Sequence, residues 1–480
     1  MISALTRGAT PSHFLERLRT VLDSDYVISG DRIDACFITE PRGRWHRRPA
    51  ALARPANTAE LARVVELCRE SGVPMVIRGG GTGLVGGASM TDDDRELLIS
   101  MDRMRSIRRV DVEDAAMTVE AGVTLATANH AAATYGLDVP LQLASGGSAS
   151  VGGILATNAG GSTTMRYGTA RRMVLGLEAV LADGRVLNSL SCLRKNNTGY
   201  DISGLLVGSE GTLGIITAAT IALVPQPSQR ATAWCAVESP EQALKLLHSC
   251  RHSLGENLSA FELIPNRALE LVLEYLPGAR NPLEERHPWY VLMDIDTAIE
   301  GNWLMPAVTR LLETELEAGQ IRNAVIASSA SKTDELWRLR DSISPAQKAA
   351  GASIKHDISV PVAAIPRMID DTLPELERAV PGIRPCVFGH LGDGNLHFNL
   401  NRPLGWDDTA FLAREPLLNR IVYDRVLALG GSIAAEHGIG QLRREQLQQR
   451  ADPIKLDLLG CIKRALDPQN LLNPGKLIPG

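Results

Sequence analysis

The chain is 480 residues long, 44% hydrophobic and 22% charged, with a formal net charge of −5. That length predicts two or three domains of ordinary globular composition. The acidic balance argues against nucleic acid or an anionic membrane surface as the main partner, and the lack of any run of eighteen apolar residues argues against a spanning helix.

Residues Met1 to Arg7 lack a basic stretch followed by an apolar one, so no secretion signal is expected. The first fifteen residues contain no acid but are poor in arginine, which leaves a mitochondrial transit peptide as the alternative to a cytoplasmic location. Seven cysteines, at 36, 68, 192, 235, 250, 386 and 461, form no C-x-x-C pair. That argues against an iron–sulfur cluster and predicts small buried thiols in a reducing cytoplasm.

Residues 10–24 read as a capped amphipathic helix, with Pro11 in its first turn and Phe14, Leu15, Leu18 and Leu22 on one face. Residues 31–54 read as a basic surface loop, with five arginines between Arg42 and Arg54. Thr58 is expected to cap a helix running to Ser71, with Leu61, Val64, Val65 and Cys68 at helical spacing. Val73–Arg78 reads as a short buried strand. It feeds Gly79-Gly80-Gly81-Thr82-Gly83-Leu84-Val85-Gly86-Gly87, a loop whose backbone N–H groups can meet an anion, usually a phosphate. Gly81-x-Gly83-x-x-Gly86 matches the dinucleotide fingerprint, but a polar turn and the strand 96–100 follow where that motif needs a helix. The Rossmann reading is therefore rejected.

Residues 115–123 alternate as a strand, and Thr124 caps an alanine-rich helix to about Tyr135. A second glycine-rich tract spans Ser145 to Gly161. The strands 174–181 and 185–187 are joined by Asp183-Gly184, the expected hairpin turn. Gly208 to Thr217 reads as a turn entering another strand. Two glycine tracts in one segment predict a long ligand held from two sides.

From 228 to 330 the pattern alternates: strand 231–237, helices 241–253 and 266–275, strand 289–295 and helix 302–317. This predicts a small α+β domain. Residues 334–343 read as helix and 354–361 as strand. Then comes Gly389-His390-Leu391-Gly392-Asp393-Gly394-Asn395-Leu396-His397-Phe398-Asn399, followed by Ala434-Ala435-Glu436-His437-Gly438. His390, His397 and Glu436 offer a mixed nitrogen and oxygen set suited to zinc or another divalent transition metal, with His437 beside the third ligand. A lone histidine is more often a satisfied structural residue. The alternative for Glu436 is a carboxylate that orients a ligand rather than touching the metal. Asp357 and Asp393 read as structural carboxylates.

Arg78 to Gly83, Gly146-Gly147 to Gly160-Gly161, and Ser209 to Gly214 resemble, in order and spacing, the FAD-binding domain of the vanillyl-alcohol-oxidase type. The remainder resembles the FAD-linked oxidase C-terminal domain, nearest its branch of D-2-hydroxyglutarate and D-lactate or glycolate dehydrogenases. The likeness covers 45–480. It implies an α+β fold: an N-terminal helical segment (1–44), a two-subdomain FAD-binding domain (45–226), a substrate- and metal-binding domain (227–440) whose sheet faces the flavin, and a segment (441–480) returning to it. Carried over residue by residue, it assigns the FAD site to Arg78, Gly79, Gly80, Gly81, Thr82, Gly83, Ser145, Gly146, Ser148, Gly152, Gly153, Thr157, Asn158, Gly160, Glu210, Gly214, Ile216 and Asn473. Thr82 stands where some relatives carry a histidine bonded to the flavin, so FAD is expected to be non-covalent.

The resemblance also implies that Arg340, Ser344 and Lys355 bind a substrate carboxylate, with serine where threonine is common. A forked guanidinium plus an ammonium suits that task; without the likeness both would read as surface charges. Asn399 and His437 are expected to contact substrate, and His437 to act as general base. The implied reaction passes a hydride from D-2-hydroxyglutarate to the flavin, giving 2-oxoglutarate; D-lactate or glycolate is the alternative substrate. A homodimer passing electrons to an electron-transfer flavoprotein or a quinone is expected. A flavin-binding carrier without catalysis, or an oxidase using O₂, are the competing readings.

Overall fold

The computed structural model describes residues 12–478. The chain forms two compact units: residues up to Gly160, Gly168–Gln226 and Glu436 onward make the first, and Gly161–Tyr167 with Pro227–Ala435 make the second. The return to the first unit falls at 435/436, ahead of the expected boundary at 440.

In the first unit a helix at Ser12–Val21 buries Phe14 and Leu18, with Leu22 buried just beyond it, while the expected Pro11 lies outside the described residues. These side chains pack with Leu61, Val64, Val65 and Cys68 of the helix Thr58–Ser71. The cap of that helix is Asn57, not Thr58. The Asn57 side chain accepts from the Glu60 N–H, while the Thr58 hydroxyl donates to Glu178 at 2.6 Å. The helix covers a four-stranded sheet ordered Val27–Ile28, Ala51–Ala53, Leu97–Ser100, Met75–Arg78. Ala51–Ala53, read from sequence as loop, is a fully buried strand parallel to Leu97–Ile99. Three small residues after a run of arginines carry no alternation, so only pairing reveals the strand. The loop after Met75–Arg78 runs without a helix to Leu97–Ser100, as the rejection of the Rossmann fold requires.

A second, antiparallel sheet orders Ile107–Asp111, Ala116–Glu120, Ile215–Ala222, Val174–Val180, Val186–Asn188. Its last two strands pair through the expected Asp183-Gly184 turn. The second glycine tract contains a helix the pattern did not show, Val151–Thr157, whose Val151, Ile154 and Leu155 join the core of this sheet.

The second unit is one eight-stranded sheet ordered Asn323–Ile326, Gln229–Val237, Trp289–Thr297, Leu258–Pro265, Arg384–His390, Asn395–Asn401, Ser353–Ile354, with Asp357–Ser359 also on Asn395–Asn401. Leu258–Pro265 went unread in the sequence. All eight of its residues are buried, so it has no polar face to alternate with. The strand expected at 354–361 is broken at His356, whose ring nitrogens lie 2.8 Å from the Phe398 carbonyl and 2.8 Å from Asn419 Oδ1. Helices Pro240–Leu254 and Leu304–Glu317 cover one side of the sheet, with Ile365–Ala379 and Glu415–Ala428 contributing to the same core. Asn266–Tyr275, Ala330–Asp341 and Ile343–Ala349 pack into a separate core.

Candidate functional site

The first unit holds a cavity of about 510 Å³. Three stretches wall it: the loop 79–88, residues 143–160 of the second glycine tract, and 210–216. The backbones approach closely here: a Cβ on Gly80 would lie 1.9 Å from the Ser148 carbonyl oxygen. Gly79, Gly80, Gly81, Thr82, Gly83, Ser145, Gly152, Gly153, Thr157, Gly160, Glu210, Gly214, Ile216 and Asn473 all line it. A long groove floored by glycines and exposed backbone fits a dinucleotide-type ligand carrying phosphates.

Four residues assigned to that ligand from sequence are placed otherwise. The Arg78 guanidinium donates to the Cys36 carbonyl at 2.6 Å and lies over the Phe37 ring. Asn158 closes the helix Val151–Thr157 and accepts the Arg171 N–H at 2.9 Å. Gly146 and Ser148 shape the tract through turn hydrogen bonds to Leu143 and Ser145. None of the four is among the residues lining the cavity.

Glu436 and His437 also line this cavity. A buried carboxylate anchors the loop that carries them: Glu210 accepts the N–H groups of Ile439 and Gly440, each at 2.8 Å. Burial pushes the Glu210 carboxyl up from its ordinary value, against the pull of those two N–H groups and the Arg443 charge. Asn473 completes the wall, donating to the Glu210 carbonyl at 2.6 Å and accepting the Ile77 N–H at 3.2 Å. The C-terminal tail is thereby tied to the strand that precedes the first glycine loop.

In the second unit, His390 and His397 stand on the hairpin Arg384–His390 and Asn395–Asn401, their ring centroids 5.7 Å apart. Near the end of the first strand Gly389 has φ +151°, and a Cβ there would lie 2.5 Å from the Asn395 carbonyl oxygen. Asp393 accepts the Asn395 N–H at 3.0 Å, and Asp357 accepts the Asn395 side chain at 2.9 Å.

Sequence reading missed Glu262, on the central strand Leu258–Pro265. Its carboxylate is fully buried and accepts from Arg340 Nε at 2.8 Å and from His390 Nδ1. Burial alone would raise its pKa; the Arg340 charge and the hydrogen bonds from His390 and Arg340 bring it down to about 2. The one available signal was an acid inside an otherwise apolar run, Ala260-Phe261-Glu262-Leu263-Ile264. His390 Nε2 lies 3.3 Å from Arg340 Nη2. Arginine can only donate, so Nε2 is the accepting nitrogen and the proton sits on Nδ1, toward Glu262. That is the tautomer a metal-ligating imidazole needs, and a divalent ion at Nε2 would take the place of the Arg340 Nη2 hydrogen bond.

The residues expected to grip a carboxylate lie in this unit too. Arg340 packs over Phe388, its guanidinium carbon 5.4 Å from the ring centroid, so it is no simple surface charge. Lys355 Nζ donates to the exposed Ser344 hydroxyl at 2.8 Å. Asn399 is buried and donates to Gln347 Oε1 at 2.8 Å. Among the described residues no helix is long and apolar enough to cross a membrane.

Comparison with known proteins agrees with this geometry. Residues 226–477 match the family described as FAD linked oxidases, C-terminal domain, and residues 49–189 match the FAD binding domain. The mitochondrial D-2-hydroxyglutarate dehydrogenase of Arabidopsis thaliana is 37% identical over 425 residues, spanning 88% of this chain and 74% of the relative. The D-2-hydroxyglutarate dehydrogenase of Xanthomonas citri pv. viticola is 37% identical over 434 residues, 90% of each chain. The solved structure of p-cresol methylhydroxylase with substrate bound superposes with a TM-score of 0.75 at 16% identity, covering 99% of this chain and 98% of the other. At that identity the likeness shows a shared fold, one of the vanillyl-alcohol-oxidase type.

Proposed function

The chain belongs to the family of FAD-linked oxidases, and we propose that within it this protein is a metal-dependent dehydrogenase oxidising D-2-hydroxyglutarate to 2-oxoglutarate. The observation that carries the reading is that Glu436 and His437 line the same cavity as the two glycine tracts. A base and a metal-ligand candidate at the flavin cavity suit oxidation of a hydroxyl, and a pure electron carrier has no use for them. The names of the curated relatives support the substrate.

Bound FAD would accept the C2 hydride, while zinc or another divalent transition ion held by His390, His397 and Glu436 would polarise the substrate hydroxyl. His437 takes the hydroxyl proton as general base. Arg340 and Lys355 hold the distal carboxylate, with Ser344 steadying the ammonium of Lys355. Asn399, its amide nitrogen engaged by Gln347, meets substrate through Oδ1. Thr82 in the first glycine loop supports non-covalent FAD. Seven unpaired thiols support a reducing compartment such as the cytoplasm, and an electron-transfer flavoprotein or a quinone suits the acceptor.

The test is anaerobic mixing of the yellow protein with D-2-hydroxyglutarate, L-2-hydroxyglutarate, D-lactate and glycolate, following flavin absorbance. Bleaching by D-2-hydroxyglutarate alone is expected. Bleaching by lactate instead would overturn the roles of Arg340 and Lys355, and bleaching by none would overturn the substrate class. Arg340→Ala should raise KM for hydroxyglutarate far more than for lactate.

A further inference from the structure

We propose that Glu262 is a positioning residue shared by the metal centre and the substrate clamp. One buried carboxylate sets the tautomer of His390 and at the same time holds the guanidinium of Arg340. The inference rests on the functional reading above and deepens it.

Glu262 lies in the middle of a strand whose every residue is buried. An ionised carboxylate there costs several kcal/mol unless it is paired and hydrogen-bonded. Both partners are supplied by fixed structure. Glu262 and His390 face each other as register partners on adjacent antiparallel strands, so the sheet ladder itself sets their separation. Arg340 arrives from the last turn of the helix Ala330–Asp341, and its Nε takes the other carboxylate oxygen. Each oxygen thus accepts one hydrogen bond, one from the imidazole and one from the guanidinium.

This arrangement couples two tasks. Accepting from Nδ1 keeps the proton there and leaves Nε2 as the lone-pair nitrogen. Accepting from Nε turns the guanidinium fork in a defined direction over Phe388. Apolar residues of similar volume in place of the whole Glu262, Arg340 and His390 cluster would often be neutral or stabilising, so the acid is placed for orientation.

Glu262→Gln separates this from a merely structural role. The amide keeps one accepting oxygen but turns an NH₂ toward either Arg340 or His390. Facing Arg340, it sets donor against donor. Facing His390, it favours the opposite tautomer, with the proton on Nε2. The experiment strips metal from the FAD-loaded protein with a chelator, then titrates zinc in competition with a chromogenic indicator. Glu262→Gln should bind zinc roughly 10- to 100-fold more weakly than wild type, with its FAD content unchanged. Its KM for D-2-hydroxyglutarate should rise by a larger factor than its KM for D-lactate. Folded Glu262→Gln that binds zinc as tightly as wild type would overturn the proposal alone. Wild-type protein that binds no zinc would overturn the metal reading, and the metal half of this inference with it. Should the variant fail to fold, nitrogen NMR of histidine-labelled wild type, assigned with His390→Gln, still decides: a protonated Nδ1 at His390 is expected, and a protonated Nε2 overturns the assignment.

Discussion

Glu210→Gln probes how the loop bearing Glu436 and His437 is held. The wild-type carboxylate takes the N–H groups of Ile439 and Gly440, both at 2.8 Å, in a buried setting. Glutamine retains one accepting oxygen and turns its NH₂ against the other N–H. One charge-assisted bond is lost and a buried donor is left without an acceptor, a cost of about 2–3 kcal/mol. The adjoining Asn473 and Arg443 bonds, to the Glu210 and Gly438 carbonyls, use backbone atoms and survive the change. The penalty therefore falls on local opening of 438–440. At 1.4 kcal/mol per factor of ten, amide exchange at Ile439 and Gly440 should quicken roughly 30- to 150-fold. Hydrogen exchange read by mass spectrometry on peptides covering 436–443 of the FAD-loaded protein measures this directly. Glu210→Ala, which removes both acceptors, should exceed it, and kcat should fall in both because His437 lies on the loosened loop. Unchanged exchange at 439–440 in folded Glu210→Gln would refute the anchor. So would an equal acceleration everywhere, since the clamp predicts a local effect.

Gly80→Ala places a Cβ 1.9 Å from the Ser148 carbonyl oxygen and 3.1 Å from Ala149 Cα, both backbone atoms; the purified variant should be colourless, and a normal ratio of flavin to protein absorbance would contradict the cavity assignment. Burial pulls the Lys476 ammonium down from 10.5 to about 8 despite Glu96 beside it. The unfolded chain thus binds the extra proton between those values, and stability rises with pH across that window. Relative to Lys476→Met, wild type should therefore gain up to about 3 kcal/mol in urea melts between pH 8 and 10.5, and a flat difference would remove the buried-charge argument. Burial pushes the thiols of Cys235 and Cys386 up to about 12 and those of Cys68 and Cys250 above their ordinary value. In native protein a thiol reagent should label the exposed Cys36 and Cys461, and the four buried cysteines only after denaturation; rapid native labelling of all seven would refute the packing.

Much of this was legible in the linear order because it is local. A strand feeding a glycine loop, Asp-Gly between two strands, and helical spacing at Leu61, Val64, Val65 and Cys68 each depend on neighbours a few residues apart. So does the glycine-bracketed motif that carries His390 and His397. The order of the glycine tracts was enough to anticipate the cavity. Residues separated by long stretches of chain were not legible. Ala51–Ala53 becomes a strand only by pairing with Leu97–Ile99. Arg78, which precedes the glycine loop, is claimed by the Cys36 carbonyl. Glu262 looks like a stray acid until the sheet sets it against His390, 128 residues away, and a helix brings Arg340 to its other oxygen. The physical reason is common to all three: backbone conformation is set by adjacent residues, but the partner that satisfies a buried charge or an unpaired strand edge is set by topology. The sequence by itself determined the local elements and the chemistry available; the tertiary structure alone decided which strands pair and which buried carboxylate meets which imidazole.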